Sequence, residues 1–252
     1  MKYKIGCSVF VLFCLFPLLS FASHFKMTLP KGLYVHGELG GSLSKSAQYT
    51  TEGGGTAFAM PSDFRNNIGN SMNYGFSVGR KWQLWGVEFA YNNRPNFLYK
   101  KSSPEATGGG RRRWFTPKNE TFMGNVFFYP AHFLSFFPAK FNPFLGGGVG
   151  FAHNRITAFK SENITTPATN FRISDGTKTS ITWQVMLGLS YAFKPQLAFD
   201  LGYRHIDLGK FKSGRTLTSY TGSTQTAEGE TNLLIGRPSA DEIFLGLTYS
   251  LS

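Results

Sequence analysis

The chain has 252 residues, with 26 lysines and arginines against 14 aspartates and glutamates, a net charge of +12 and two cysteines. Its 16% aromatic content and 29 glycines are high for a soluble domain, and after residue 22 no long apolar run remains, which excludes a helical membrane protein. A mean hydropathy of -0.17 together with many aromatics fits a chain that uses only alternate residues for its apolar surface.

Lys2 and Lys4 precede an apolar run from Ile5 to Leu19, and Ser20-Phe21-Ala22 follows as a small-residue cleavage site. The run holds Pro17 and falls short of the roughly 20 residues that a spanning helix needs. Residues 1–22 are therefore expected to be a secretory signal peptide, leaving residues 23–252 as one domain. Cys7 and Cys14 leave with it, so no disulfide, thiolate nucleophile or cysteine metal site is expected. Losing Lys2 and Lys4 takes the net charge from +12 to +10. An exported chain of that charge is expected to meet anionic headgroups or surface polysaccharide, not nucleic acid.

The first strand is expected over Leu33–Leu43, with Leu33, Val35, Leu39 and Leu43 on one face and His36, Glu38, Gly40 and Ser42 on the other. The polar stretch Ser44–Ser71, with Gly53-Gly54-Gly55, reads as a surface loop. Met72–Gly79 is the second strand, with Tyr74, Phe76 and Val78 opposed to Asn73, Gly75 and Ser77. After a short turn the third strand sets Trp85, Val87, Phe89 and Tyr91 against Gly86, Glu88, Ala90 and Asn92. A second polar loop, Asn93–Lys118, carries Arg111, Arg112 and Arg113. The fourth strand, Asn119–Tyr129, directs Phe122, Val126 and Phe128 one way and Met123, Asn125, Phe127 and Tyr129 the other. An apolar link, Ala131–Phe141, suits a membrane interface or, equally, a short amphipathic element.

The fifth strand, Pro143–His153, has Leu145, Val149 and Phe151 outward and Gly146, Gly148 and Gly150 inward. Inward glycines let a small barrel close without overfilling its lumen. A third polar loop covers Asn154–Ser180. The alternation is clearest from Ile181 to Phe193, where every odd residue is apolar or aromatic. Lys194-Pro195 reverses the chain into a seventh strand that places Leu197, Phe199, Leu201 and Tyr203 opposite Ala198, Asp200, Gly202 and Arg204. The longest polar loop, Leu208–Ser239, leads to the last strand, Ala240–Ser252.

Eight strands joined alternately by long polar loops and short turns predict a transmembrane antiparallel up-and-down β-barrel, an all-β fold inserted as a monomer. Closure is required because a strand edge in lipid would leave backbone groups unpaired. A soluble eight-stranded ligand-binding barrel is the alternative.

The alternation places Glu38, Glu88, Asp200, Arg204 and Glu242 inside, with His36 and Gln184. Buried charges need partners, and Arg204 is expected to pair with Glu242 near the loop end of adjacent strands. Inward carboxylates outnumber the inward cations, which keeps a narrow ion or water path open as a possibility. No H-x-x-H spacing and no His-x-Ser spacing occurs. No catalytic, cofactor or metal site is therefore expected, although a lipid-modifying enzyme whose site assembles across strands is a second hypothesis. Arg111, Arg112 and Arg113, beside Trp114, Lys100, Lys101 and Lys118, form the dense basic cluster, read first as a solvated loop whose arginines snorkel to the lipid headgroups and second as a site for lipopolysaccharide phosphates or sulfated host glycans.

The segment Leu197–Gly214, L-A-F-D-L-G-Y-R-H-I-D-L-G-K-F-K-S-G, resembles the seventh strand and fourth loop of small eight-stranded outer-membrane proteins. These are the opacity-type adhesins, related surface antigens and the transmembrane domain of outer membrane protein A, whose G-Y-R pattern matches Gly202, Tyr203 and Arg204. The resemblance implies an outer-membrane barrel engaged in adhesion, binding of a host glycan or protein, or envelope integrity. It also implies insertion by the barrel-assembly machinery, which reads a terminal strand carrying spaced residues such as Gly246, Tyr249 and Leu251. The chain departs from that pattern by ending on Ser252.

Overall fold

The computed structural model describes residues 30–45, 47–52, 65–66, 68–104, 110–133, 138–166 and 169–251. The expected signal peptide, the Gly53–Gly55 run, residues 134–137 of the apolar link and Ser252 lie outside the described residues.

Eight antiparallel strands form the barrel: β1 (Leu33–Ser44), β2 (Asn70–Lys81), β3 (Trp85–Arg94), β4 (Gly110–Phe128), β5 (Phe141–Asn163), β6 (Gly176–Lys194), β7 (Leu197–Asp207) and β8 (Ser239–Ser250). Each pairs with its neighbours in sequence, β1 pairs with β8, and β4 pairs with β5 along most of its length, so the ladder closes on itself. Closure leaves no barrel edge facing lipid, which the hydrocarbon core demands.

The period-two alternation explains the two faces. Phe89, Met72, Val149, Ile181 and Leu245 are among the most exposed apolar side chains, all on the outer face. Such a surface would be an aggregation hazard in water and is what a lipid-facing belt requires. Aromatic pairs mark the rims. Trp85 with Phe128 and Phe141 with Tyr191 lie at the short-turn end, each pair with ring centroids 5.0 Å apart. Tyr91 with Phe122, at 5.1 Å, lies toward the long-loop end.

Inside, glycines act as sockets for larger lumen residues from neighbouring strands. A Cβ on Gly202 would strike the Phe244 ring, and one on Gly246 would strike the imidazole of His36. Phe127 and Tyr129 do point inward, as the alternation predicts, and pack with Phe144, Met186 and Phe244 in an apolar collar around the short-turn half of the lumen.

The long connections differ from the featureless loops that the sequence suggests. A membrane-crossing strand needs about 9–11 residues, whereas β5 has 23 and β4 and β6 have 19 each. Their outer ends stand above the membrane and are joined by the strands Tyr99–Pro104, Thr169–Ile173, Thr216–Thr221 and Thr224–Glu230. A smaller ladder joins Phe211–Lys212, Leu233–Gly236, Ala47–Glu52 and Arg65–Asn66. Ala158, with φ of 55°, sits at the register shift between β4 and β5 and bends the sheet where it leaves the barrel. Phe97, Tyr99, Phe115, Ile156, Phe159, Ile173, Phe211 and Leu234 fill the space beneath this outer sheet as a second core. Tyr99, Phe115 and Phe159 stack in sequence at 4.4 and 5.2 Å.

Candidate functional site: the barrel lumen and the extracellular sheet

Glu88, Asp200, Arg204 and Glu242 are buried, and the Glu38 side chain is 8% exposed. Arg204 on β7 donates through Nε to Glu242 Oε2 at 2.7 Å and through Nη2 to Glu38 Oε1 at 2.5 Å. Cross-strand register makes the first contact possible, because Arg204 lies directly opposite Glu242. Asn92 Nδ2 adds a second donor to Glu38 Oε1 at 2.6 Å.

A further cation completes this layer. Arg94, the last residue of β3, is fully buried and clamps Glu242 with Nε to Oε1 at 2.5 Å and Nη2 to Oε2 at 2.9 Å. Its remaining nitrogen donates to Asn119 Oδ1 and Thr121 Oγ1. The planar guanidinium satisfies both carboxylate oxygens at once, which a lysine could not do. Arg94 falls in a stretch the sequence assigns to a loop, but its parity continues Glu88, Ala90 and Asn92, and that continuation is the signal that identifies it.

Above this layer the start of the last extracellular connection folds into the barrel mouth. Asn154 Nδ2 donates to the carbonyls of Leu208 and Lys210 at 2.8 and 3.0 Å, and Asn119 Nδ2 donates to Leu208 at 3.1 Å. Leu208 is fully buried among the outer apolar core. Gly209 adopts φ of +76° to make this turn, and a Cβ there would crowd Ser180 and Ala152. The buried salt bridges and, above them, the buried Leu208 turn therefore both lie in the long-loop half of the lumen.

Below it, Glu88 accepts from Tyr34 Oη at 3.1 Å and from Asn125 Nδ2 at 3.0 Å. Gln184 in turn donates to Asn125 Oδ1 at 2.8 Å. Thr248 donates to Asp200 at 2.6 Å, which leaves His36 to donate through Nδ1 to the Thr248 hydroxyl at 2.9 Å. His36 lies between carboxylates, 3.3 Å from Asp200 and 3.7 Å from Glu38. Among the described residues no group of histidines and carboxylates has metal-binding geometry.

On the outer surface, Asp241 gathers Lys45, Tyr203 and His205 at 2.7, 2.9 and 2.7 Å. Its hydrogen bond raises the Lys45 ammonium above the ordinary lysine value. His153 contacts the Thr179 hydroxyl at 3.1 Å in an exposed position.

The three consecutive arginines do not form one surface. They lie on β4, whose alternation exposes Arg112, buries Arg113 and sets Arg111 over the Phe171 ring at 4.7 Å. The basic face is built across strands instead. Lys100, Trp114, Lys160 and Arg172 are successive register partners on four neighbouring strands, so all four share the outer face. Arg172 lies over the Tyr220 ring at 4.7 Å. Nearer the membrane, Lys118 opposes Arg155, then Glu120 opposes His153, then Phe122 opposes Phe151 at the lipid belt.

Among solved structures, the chain is similar to Neisserial surface protein A, with 16% identity over 88% of this chain and 98% of that one and a TM-score of 0.46. It is also similar to OprG of Pseudomonas aeruginosa, with 12% identity, 87% and 97% coverage and a TM-score of 0.47. Ail of Yersinia pestis matches with 10% identity, 86% and 99% coverage and a TM-score of 0.33. No curated protein sequence matches the chain significantly. The family model for the outer membrane protein beta-barrel domain matches residues 11–250, and with the closed eight-stranded barrel this makes the chain a member of that outer-membrane family.

Proposed function

We propose that the protein is a non-catalytic surface barrel of the outer membrane, exported by its signal peptide, whose extracellular sheet binds anionic glycan on an opposing surface. The observation that carries this reading is the row Lys100, Trp114, Lys160 and Arg172 on the outward face of that sheet. Neighbouring strands are about 4.8 Å apart, so the cations are spaced to follow a chain of sulfate or carboxylate groups, with Trp114 offering a flat surface between them. Each such contact is a charge-assisted hydrogen bond. Insertion by the barrel-assembly machinery as a monomer suits the exposed apolar belt that surrounds the barrel.

Two features favour this reading over transport or catalysis. The buried Arg94, Glu242, Arg204 and Glu38 layer stands across the lumen beneath an apolar cap. At His36 the neighbouring hydroxyl commits its proton to Asp200, so the imidazole faces it as a donor and not as a base.

The test is binding of heparin-type sulfated glycan to the protein in lipid nanodiscs, compared with the variant Lys100→Glu/Lys160→Glu/Arg172→Glu. The expected result is salt-sensitive binding that falls at least tenfold in the variant. Equal binding by both proteins would remove the glycan role from this face.

A further inference from the structure

The extracellular sheet runs from Tyr99–Pro104 through β4, β5, Thr169–Ile173 and Thr216–Thr221 to Thr224–Glu230. Unlike the closed barrel below, it ends in two free edges among the described residues, and the two are unlike. Tyr99–Pro104 carries Lys100, Lys101 and Pro104, residue types that keep an edge from pairing with another chain. Thr224–Glu230 has no lysine and no proline, and all of its residues are exposed. A bulge at Thr226 leaves Ala227–Glu230 as its regular part.

Hydrogen bonding decides which backbone groups face outward there. Along an antiparallel pair, residues alternate between exchanging bonds with the residue opposite and pointing those groups away. Thr231 N–H donates to the Arg215 carbonyl, while the Thr216 carbonyl accepts from Ser174 on the other side. Glu230 lies opposite Thr216 and Glu228 opposite Thr218, so the N–H and C=O groups of both glutamates point to the free edge. Their side chains share the outer face, because register runs from Lys160 through Arg172 and Thr218 to Glu228. Gln225 donates to Glu228 Oε2 at 3.0 Å, and neither carboxylate has an ion-pair partner among the described residues.

We propose that this edge docks an extended peptide of a partner protein, with basic residues at alternate positions, as one more antiparallel strand. Two peptide residues, two apart, exchange backbone hydrogen bonds with Glu228 and Glu230, at Cα separations of about 5.5 Å. Lysine or arginine at those positions lies opposite the carboxylates, whereas an acidic residue would meet like charge. A glycan lacks the matching alternation of donors and acceptors. A second copy of this chain would offer Tyr99–Pro104, whose adjacent Lys100 and Lys101 fall on opposite faces. The site does not depend on the glycan reading, which rests on Lys100, Trp114, Lys160 and Arg172.

Fluorescence polarisation tests the proposal, with labelled Thr-Val-Lys-Thr-Lys-Val-Thr, the protein in phosphatidylcholine nanodiscs, and empty nanodiscs as the blank. Saturable binding is expected. N-methylation of both peptide lysines removes the backbone donors and keeps the charge, and it should weaken binding at least tenfold. Glu228→Gln/Glu230→Gln, at exposed positions, should weaken it as much, with retained heat-modifiable gel mobility verifying the fold. Absence of binding would overturn the proposal. Equal binding of the methylated peptide would reduce it to charge attraction, and unchanged binding by the folded variant would place the peptide elsewhere; either result also overturns it.

Discussion

Arg94 and Glu242 meet side-on in the barrel interior, with two guanidinium nitrogens on two carboxylate oxygens at 2.5 and 2.9 Å and neither side chain exposed. They belong to β3 and β8, which are not neighbours, so the pair braces the barrel across its lumen. Arg204 then joins Glu242 to Glu38, and two cations balance two carboxylates in one layer.

Removing one member of that layer leaves a buried charge unmatched. Arg94→Met is therefore expected to destabilise the barrel by about 3–5 kcal/mol, the usual cost of breaking a buried pair from one side. Arg94→Met/Glu242→Leu removes one charge of each sign and leaves Arg204 with Glu38, so it should recover much of the loss. Urea unfolding in lipid vesicles measures both, and a double variant no more stable than the single one would show that the pair is not the unit of stability.

The same layer, with the Leu208 cap above it, predicts electrical silence. In planar bilayers the protein should give no steady conductance steps. Asn119→Ala/Asn154→Ala, which frees the Leu208 and Lys210 carbonyls, should also stay silent because the Arg94 and Arg204 layer remains beneath. Discrete steps from the unaltered protein would mean that the lumen opens in ways that its ion pairs oppose.

The barrel was readable from the chain because lipid on one side and a narrow lumen on the other force a strict period of two, as in Ile181–Phe193. The same alternation located Glu38, Glu88, Asp200, Arg204 and Glu242. It failed above the membrane, where the outer sheet has water on one face and a thin core on the other. There the inward residues Phe97, Tyr99, Phe115 and Phe159 have apolar outward neighbours in Leu98, Trp114 and Ala158, which blur the period of two, and the runs are short and interrupted by Pro and Gly. Those runs read as loop. Arg94 was missed for a related reason, since Asn93 and Pro95 flank it and hide the continuation of the strand. The basic cluster misled because adjacency in sequence means opposite faces in a strand, so Arg112 and Arg113 diverge while Lys100, Lys160 and Arg172 converge from three separate segments.

The outer sheet has its own core, which predicts that it can be loosened without loss of the barrel. Phe115 and Phe159 stack 5.2 Å apart, each about 1% exposed, beneath the row that carries Trp114 and Lys160. Phe159→Ala removes one end of the Tyr99, Phe115 and Phe159 stack and should cost about 3–5 kcal/mol locally, as large-to-small changes at buried phenylalanines do. The barrel below is held by a closed ladder and the lumen ion pairs, which the substitution does not touch. Trypsin added to intact cells should then cut at Arg112 or Lys160 in the variant and not in the parent protein, while both keep the same heat-modifiable mobility. If the variant resists trypsin as well as the parent does, the outer sheet draws its order from the barrel strands. If it also loses heat-modifiable mobility, the two layers fold as one unit.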